Sequence, residues 1–173
     1  MCVRRFLYWK SKFRRYSNDI VNSLPADLSV ITADGTDKAN YNGALIYATD
    51  LEGKLTKINL TDKGTLYETT TLFTAEATSA NGRYIYTRPE VTINNDNNLW
   101  LYFGTGNTQK LQSQSSQVKN RLYGIKDKNF PNFVKVNPAG DVSKCKTAPT
   151  CPGDTDLGWY VDLKKAQKLT AEP

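Results

Sequence analysis

A chain of 173 residues is long enough to bury one sizeable core, and its formal net charge of +6 raises nucleic acid or an anionic lipid surface as a partner. The charge is confined to one end. The opening stretch MCVRRFLYWKSKFRRY holds Arg4, Arg5, Lys10, Lys12, Arg14 and Arg15 with no acid, and the remainder is neutral, so a basic body that tracks phosphates is excluded.

That opening stretch interleaves Phe6, Tyr8, Trp9, Phe13 and Tyr16 with its cations, a pattern that also suits base stacking or a membrane interface. It contains no apolar run of the roughly 7 to 15 residues a signal peptide needs, and nothing near the roughly 18 of a membrane span. Residues 1–21 are therefore expected to lie outside the folded domain, with 22–173 forming it, and no transmembrane segment, recognisable signal peptide or nucleic-acid partner is expected. The sequence has no histidine, which excludes Ser-His-Asp and Cys-His catalysis, a histidine general base and histidine-bound zinc.

From residue 22 onward the chain reads as short strands separated by turn residues. SVIT at 29–32, ALIYAT at 44–49 and KLTKIN at 54–59 are rich in β-branched and aromatic residues. Asp50-Leu51-Glu52-Gly53 between the last two predicts a hairpin, because its glycine tolerates positive φ. LYETTTLF at 66–73 alternates as a strand with one wet face should, and a turn follows at Asn81-Gly82. Strands over 83–93 and 99–103 are joined by the polar run 94–98, five Asn and Asp residues that tolerate left-handed backbone. After Gly104-Thr105-Gly106 comes a polar loop, NTQKLQSQSSQVKN, then a strand over 121–126. The stretch 127–156 reads as loop, with four prolines, and 158–163 returns to strand character. Inside it, Cys145 and Cys151 in KCKTAPTCPGD are spaced to close a small disulfide loop, which would imply an oxidising compartment. Two free thiols, or half of a metal site, fit the same spacing.

The body is thus all-β. Repeated hairpins with glycine and aromatic punctuation predict propeller blades, and at about 40 to 50 residues per blade the body supplies roughly three, short of the four or more of a closed ring. A sandwich of about eight strands satisfies the same periodicity.

Four stretches in chain order carry a family resemblance. YNGALIYATDLEGKLTKINLTD, at 41–62, has the propeller hairpin pattern shared with quinoproteins. Tyr86-Thr87-Arg88-Pro89-Glu90-Val91 followed by Leu101-Tyr102-Phe103-Gly104-Thr105-Gly106 is more specific, and Leu122-Tyr123-Gly124-Ile125-Lys126-Asp127 and Gly158-Trp159-Tyr160-Val161-Asp162-Leu163 follow it. Together they resemble the C-terminal β-propeller of the PilC/PilY family of type IV pilus biogenesis and adhesion proteins. The resemblance implies a partial, quinoprotein-like propeller with an incomplete ring. It also implies a non-catalytic role in pilus biogenesis and adhesion at the bacterial surface, outer membrane or pilus tip. The partners it implies are pilin or other pilus components and a host-cell or surface ligand. It further implies calcium, held in an acidic loop, for which Asp34, Asp37 and Asn40 are the candidates. The family's regular alternation of acids is absent there and Lys38 stands inside the loop, so a solvated turn fits the same residues.

Other readings of single residues stay beside these. Trp100, Tyr102, Trp159 and Tyr160 can stack on sugars, although alternation makes about half of them core. Arg88 and Glu90 can pair. Glu90, Asp127 and Asp162 would need two carboxyls across a cleft to cleave a glycoside. A carbohydrate-binding or structural propeller is the alternative function, and a quinoprotein dehydrogenase fragment a further one, for which no catalytic or quinone-binding residues are found.

Overall fold

The computed structural model describes residues 23–32, 43–112, 118–139, 142–145, 157–171 and 173. The basic segment 1–21, set apart from the domain above, lies outside them. Among the described residues, nine strands form two sheets. The first is an antiparallel meander of β1 (Ser29–Thr32), β2 (Gly43–Thr49), β3 (Lys54–Thr61) and β4 (Thr69–Thr74), in that spatial order. The second contains β5 (Glu90–Ile93), β6 (Leu99–Gly104), β7 (Arg121–Asp127), β8 (Val142–Lys144) and β9 (Gly158–Asp162), in the order β5-β6-β7-β9-β8. Among the described strands, β8 and β9 alone run parallel.

The architecture is all-β and open, consistent with part of a propeller. The described strands make two blade-sized sheets where about three blades were expected. The reason is length: the second sheet spans residues 90–162 because three long connections, after β6, after β7 and after β8, separate its strands.

The sheets meet through the inward positions of alternating strands. Leu45 and Tyr47 of β2, Leu55 of β3, Leu72 and Phe73 of β4, Leu99, Leu101 and Phe103 of β6, and Tyr123 and Ile125 of β7 share one buried cluster with Ile85 and Phe133. A register shift between Leu55 and Thr56 in the β3–β4 ladder accompanies the burial of two consecutive residues, Leu72 and Phe73. Across the seam, the Phe73 ring lies 4.8 Å from Tyr123 and 6.0 Å from Phe103.

Both polar turns form as expected, and their chemistry is visible. Asn94 accepts backbone hydrogen bonds at Oδ1 from Asp96 (3.1 Å) and Asn98 (2.9 Å), with Asn97 left-handed at φ 58°. Asp50 accepts from the Lys54 amide at 2.9 Å and Gly53 takes φ 78°, closing the β2–β3 hairpin. Two expected strands are shorter than predicted. Leu66 and Tyr67 are exposed and precede β4, with Tyr67 at φ 64°, because its amide turns back to the Asn59 carbonyl. Of 83–93 only Glu90–Ile93 is strand, since Pro89 has no amide to donate to a ladder. Conversely, β8 arises within the stretch predicted as loop.

Asp50 gives a pH prediction. Burial pushes its pKa up to about 6, against the hydrogen bond from the Lys54 backbone and the Lys54 charge, which pull it down. In the unfolded chain the value is about 3.9. Between about pH 4 and pH 6 the folded state therefore holds a proton that the unfolded state has lost, so stability is fully present below that window and falls as pH rises through it. Asp50→Asn keeps the acceptor for Lys54 and removes the titration. Urea unfolding at several pH values should show a decline of about 2–3 kcal/mol across this window in the parent, and a flatter profile in the variant.

Candidate functional site: a buried polar centre and an aromatic face

The motif residues mostly fasten one part of the fold to another. Ser29 Oγ donates to the Pro89 carbonyl and Thr49 Oγ1 to the Thr87 carbonyl at 2.8 Å, so the Arg88-Pro89-Glu90 segment ties the second sheet to β1 and β2. Arg88 and Glu90 pair at 3.2 Å with their side chains 40% and 39% exposed, a rim contact of about 0–1 kcal/mol at most. Gly104-Thr105-Gly106 is a landing strip for residues 163–169. A Cβ on Gly104 would lie 2.3 Å from Leu169 Cδ2, and one on Gly106 2.7 Å from Lys168 Cβ, so only glycine allows this approach. The Leu169 amide donates to the Thr105 carbonyl at 3.2 Å, and fully buried Asn120 donates from Nδ2 to the Gln167 carbonyl at 2.7 Å. Gly104→Val is expected to lift this strap and cost about 1–3 kcal/mol. Limited trypsin digestion reads it directly, with faster cleavage after Lys164, Lys165 and Lys168 in the variant.

Among the described residues, Lys57 and Asp127 form a buried ionisable cluster. Lys57 points inward from β3 between Leu55 and Asn59, and Asp127 points inward at the end of β7. Their side chains are each 1% exposed, with Nζ 2.5 Å from Oδ2. The same Oδ2 accepts from the Tyr47 hydroxyl at 2.8 Å, Oδ1 accepts from the Asn129 amide at 3.1 Å, and Nζ also donates to the Asn132 carbonyl at 2.8 Å. Burial lowers the Lys57 pKa against the pull of Asp127. Burial, together with the Asp127 charge, pushes the Tyr47 hydroxyl far up, which keeps it a donor. The arrangement links the two sheets at the seam.

The three acids considered for glycoside cleavage are not brought together as a pair. Glu90 faces Arg88 on β5, Asp127 is held by Lys57, and Asp162 at the end of β9 accepts from Arg121 Nε at 3.0 Å and from Lys144. Arg121 also lies 3.9 Å above the Tyr160 ring.

The aromatics divide between the faces of the second sheet. Tyr160 packs toward the core, 6.0 Å from Tyr123. Trp100, Tyr102 and Trp159 stand on the opposite face, with Trp100 and Tyr102 near-parallel at 11° and 6.4 Å, and Tyr102 6.0 Å from Trp159. Trp159 rests against Gly124, where a Cβ would lie 2.6 Å from the indole. Trp100 is buried, with Lys126 over its ring at 5.2 Å, while Tyr102 and Trp159 remain partly exposed.

The expected calcium ligands Asp34, Asp37 and Asn40 lie outside the described residues, as does Cys151. Cys145 is disulfide-bonded. Among the described residues no group of three or more His, Cys, Asp or Glu side chains is placed to hold a metal, and no helix is long and apolar enough to cross a membrane. The polar centre was not anticipated. Its signal was a lysine in the inward phase of a strand.

No protein-family profile matches the chain. A type IV pilus biogenesis factor PilY1 homologue of Xylella fastidiosa is 28% identical over an alignment of 173 residues, which takes in 77% of this chain and 12% of that protein. The chain therefore spans about an eighth of the length of that relative. Among solved structures, the Pseudomonas aeruginosa PilY1 C-terminal domain aligns with 78% of this chain and 42% of its own, at 16% identity and a TM-score of 0.45. The motif resemblance and the sequence similarity agree: the chain is similar to a PilY-type protein of type IV pilus biogenesis.

Proposed function

We propose that this chain is a non-catalytic β-propeller scaffold within a type IV pilus biogenesis and adhesion factor. The observation that carries the reading is the similarity to a PilY1 homologue over most of the chain. The spending of the motif residues supports it. Arg88, Pro89, Glu90 and the Gly104-Thr105-Gly106 turn serve pairing, sheet attachment and strap docking, and the buried Lys57 and Asp127 neutralise each other. A rigid frame of this kind presents exposed turns such as 109–112 to pilin, other pilus components or a host surface. The location that goes with it is the bacterial surface, outer membrane or pilus tip. Calcium at Asp34, Asp37 and Asn40 belongs to the same reading. The thermal midpoint should then rise with calcium in the parent chain and not in an Asp34→Ala, Asp37→Ala variant.

The function is tested in a piliated bacterium that carries the complete parent protein. Deleting the segment equivalent to 23–173 should reduce surface pili, and restoring it should recover them. Unchanged piliation and attachment in the deletion strain would overturn the proposal. The partly exposed Tyr102 and Trp159 favour a second reading, a carbohydrate-binding propeller, because an indole seated on glycine offers its outer face to a sugar ring. Glycan-array binding by the complete protein, lost on Trp159→Ala, would favour that reading.

A further inference from the structure

The buried polar centre has the parts of a self-processing site. We infer that Lys57 and Asp127 condense to an intramolecular isopeptide bond, which joins β3 of one sheet to β7 of the other through a side-chain amide.

The geometry assembles both reactants and the groups that act on them. Lys57 Nζ lies 2.5 Å from Asp127 Oδ2, inside a site where both side chains are 1% exposed. Holding the two groups side by side makes the condensation unimolecular, and the full advantage, with effective molarities on the order of 10⁵–10⁸ M, is reached when Nζ moves from Oδ2 onto Cγ. The reaction starts with transfer of one proton from Nζ to Oδ2, across their hydrogen bond, which gives the neutral amine and the neutral carboxyl that react. The Asn132 carbonyl, 2.8 Å from Nζ, accepts one amine hydrogen and fixes the direction of the nitrogen. The Asn129 amide, 3.1 Å from Oδ1, stands where a carbonyl oxygen gains negative charge on attack. The Tyr47 hydroxyl, 2.8 Å from Oδ2, donates to the oxygen that departs.

The step balances with these groups alone. The Nζ lone pair forms a bond to Asp127 Cγ and the carbonyl electrons move onto Oδ1, facing the Asn129 amide. A second proton passes from Nζ to Oδ2, directly or through Tyr47, which ends in its starting state. The Cγ–Oδ2 bond then breaks, one water leaves and the carbonyl re-forms. One N–H remains on the product amide, with the Asn132 carbonyl as its acceptor. Neither oxidant nor cofactor takes part. Burial of Lys57, which lowers its pKa, supports the supply of neutral amine.

The result would be a covalent tie across the seam of two sheets that otherwise rely on packing and hydrogen bonds. The bond would form whatever surface the chain serves, so its failure leaves the pilus reading untouched.

Intact mass spectrometry of the folded, full-length chain tests it, after disulfide reduction. The expected mass is about 18 Da below that of the sequence, the loss of one water. A tryptic digest should give a branched peptide joining the segments around Lys57 and Asp127, with no cleavage after Lys57. Lys57→Met should restore the full mass. Tyr47→Phe, which keeps the ring, should lower the linked fraction at least tenfold at early times after refolding. Parent chain with native near-ultraviolet circular dichroism and full mass would overturn the inference, and so would an 18 Da loss mapped to a linear peptide, such as one cyclised at Asp34-Gly35. The parent peptide map decides the matter even where a variant fails to fold.

Discussion

Measured against parent chain in which Lys57 and Asp127 are still an ion pair, before any linkage, Asp127→Ala is expected to lower the folding stability by about 3–5 kcal/mol, the cost of leaving a buried charge without its partner. The substitution removes the carboxylate that accepts from Lys57 and from Tyr47 and leaves both donors inside the seam with exposures near zero. It also deletes the acceptor that positions the 128–132 turn through the Asn129 amide, which carries the Asn132 carbonyl, the second partner of Lys57. Two consequences separate this mechanism from a general loss of packing. Lys57→Met on the Asp127→Ala background removes the stranded ammonium and should recover part of the loss, whereas Lys57→Met alone leaves the Asp127 carboxylate unpaired and should be nearly as damaging as Asp127→Ala. Urea unfolding of the four chains forms a double-mutant cycle, and coupling within about 0.5 kcal/mol of zero would refute a shared centre.

Local chemistry was legible in the sequence, and chemistry between distant segments was not. The hairpin at Asp50–Gly53 and the turn at 94–98 were readable because their determinants are short side chains and glycine acting within four residues. The start of β5 was misplaced because the strand over 83–93 was carried through Pro89, which has no amide to donate to a ladder. The three-residue β8 was invisible: it exists through parallel pairing with β9, and nothing in Val142-Ser143-Lys144 demands a strand. Lys57 and Asp127 stand 70 positions apart in strands of ordinary composition. Their phase was nevertheless a clue, since Lys57 alternates with Leu55, and Asp127 with Tyr123 and Ile125, all of them inward. A charged residue in the inward phase calls for a buried partner, and two such residues on different strands call for each other. The aromatic question was half answered by alternation, which separates Tyr160 from Trp159 but cannot say that Gly124 seats the indole.

Phe103→Ala should cost about 3–5 kcal/mol, as for other fully buried phenylalanines. Phe103 is completely buried, and its ring lies 5.5 Å from Tyr123 on the neighbouring strand and 6.0 Å from Phe73 on the opposite sheet. Tyr123 is in turn 4.8 Å from Phe73, so the three rings form a triangle with two corners on one sheet and one on the other. Truncating Phe103 opens a cavity at one corner of that triangle. Collapse is limited because β6 is held on both flanks, by β5 and by β7. At about 2–4 °C per kcal/mol for a chain of this size, the thermal midpoint should fall by roughly 6–20 °C. Phe103→Leu fills most of the space and should cost less than half as much. If Phe103→Ala lowered the midpoint by less than about 3 °C, the two sheets would not share the core drawn here. The Asp127→Ala and Phe103→Ala effects should then add, because the substituted residues have no partner in common apart from the frame that holds both.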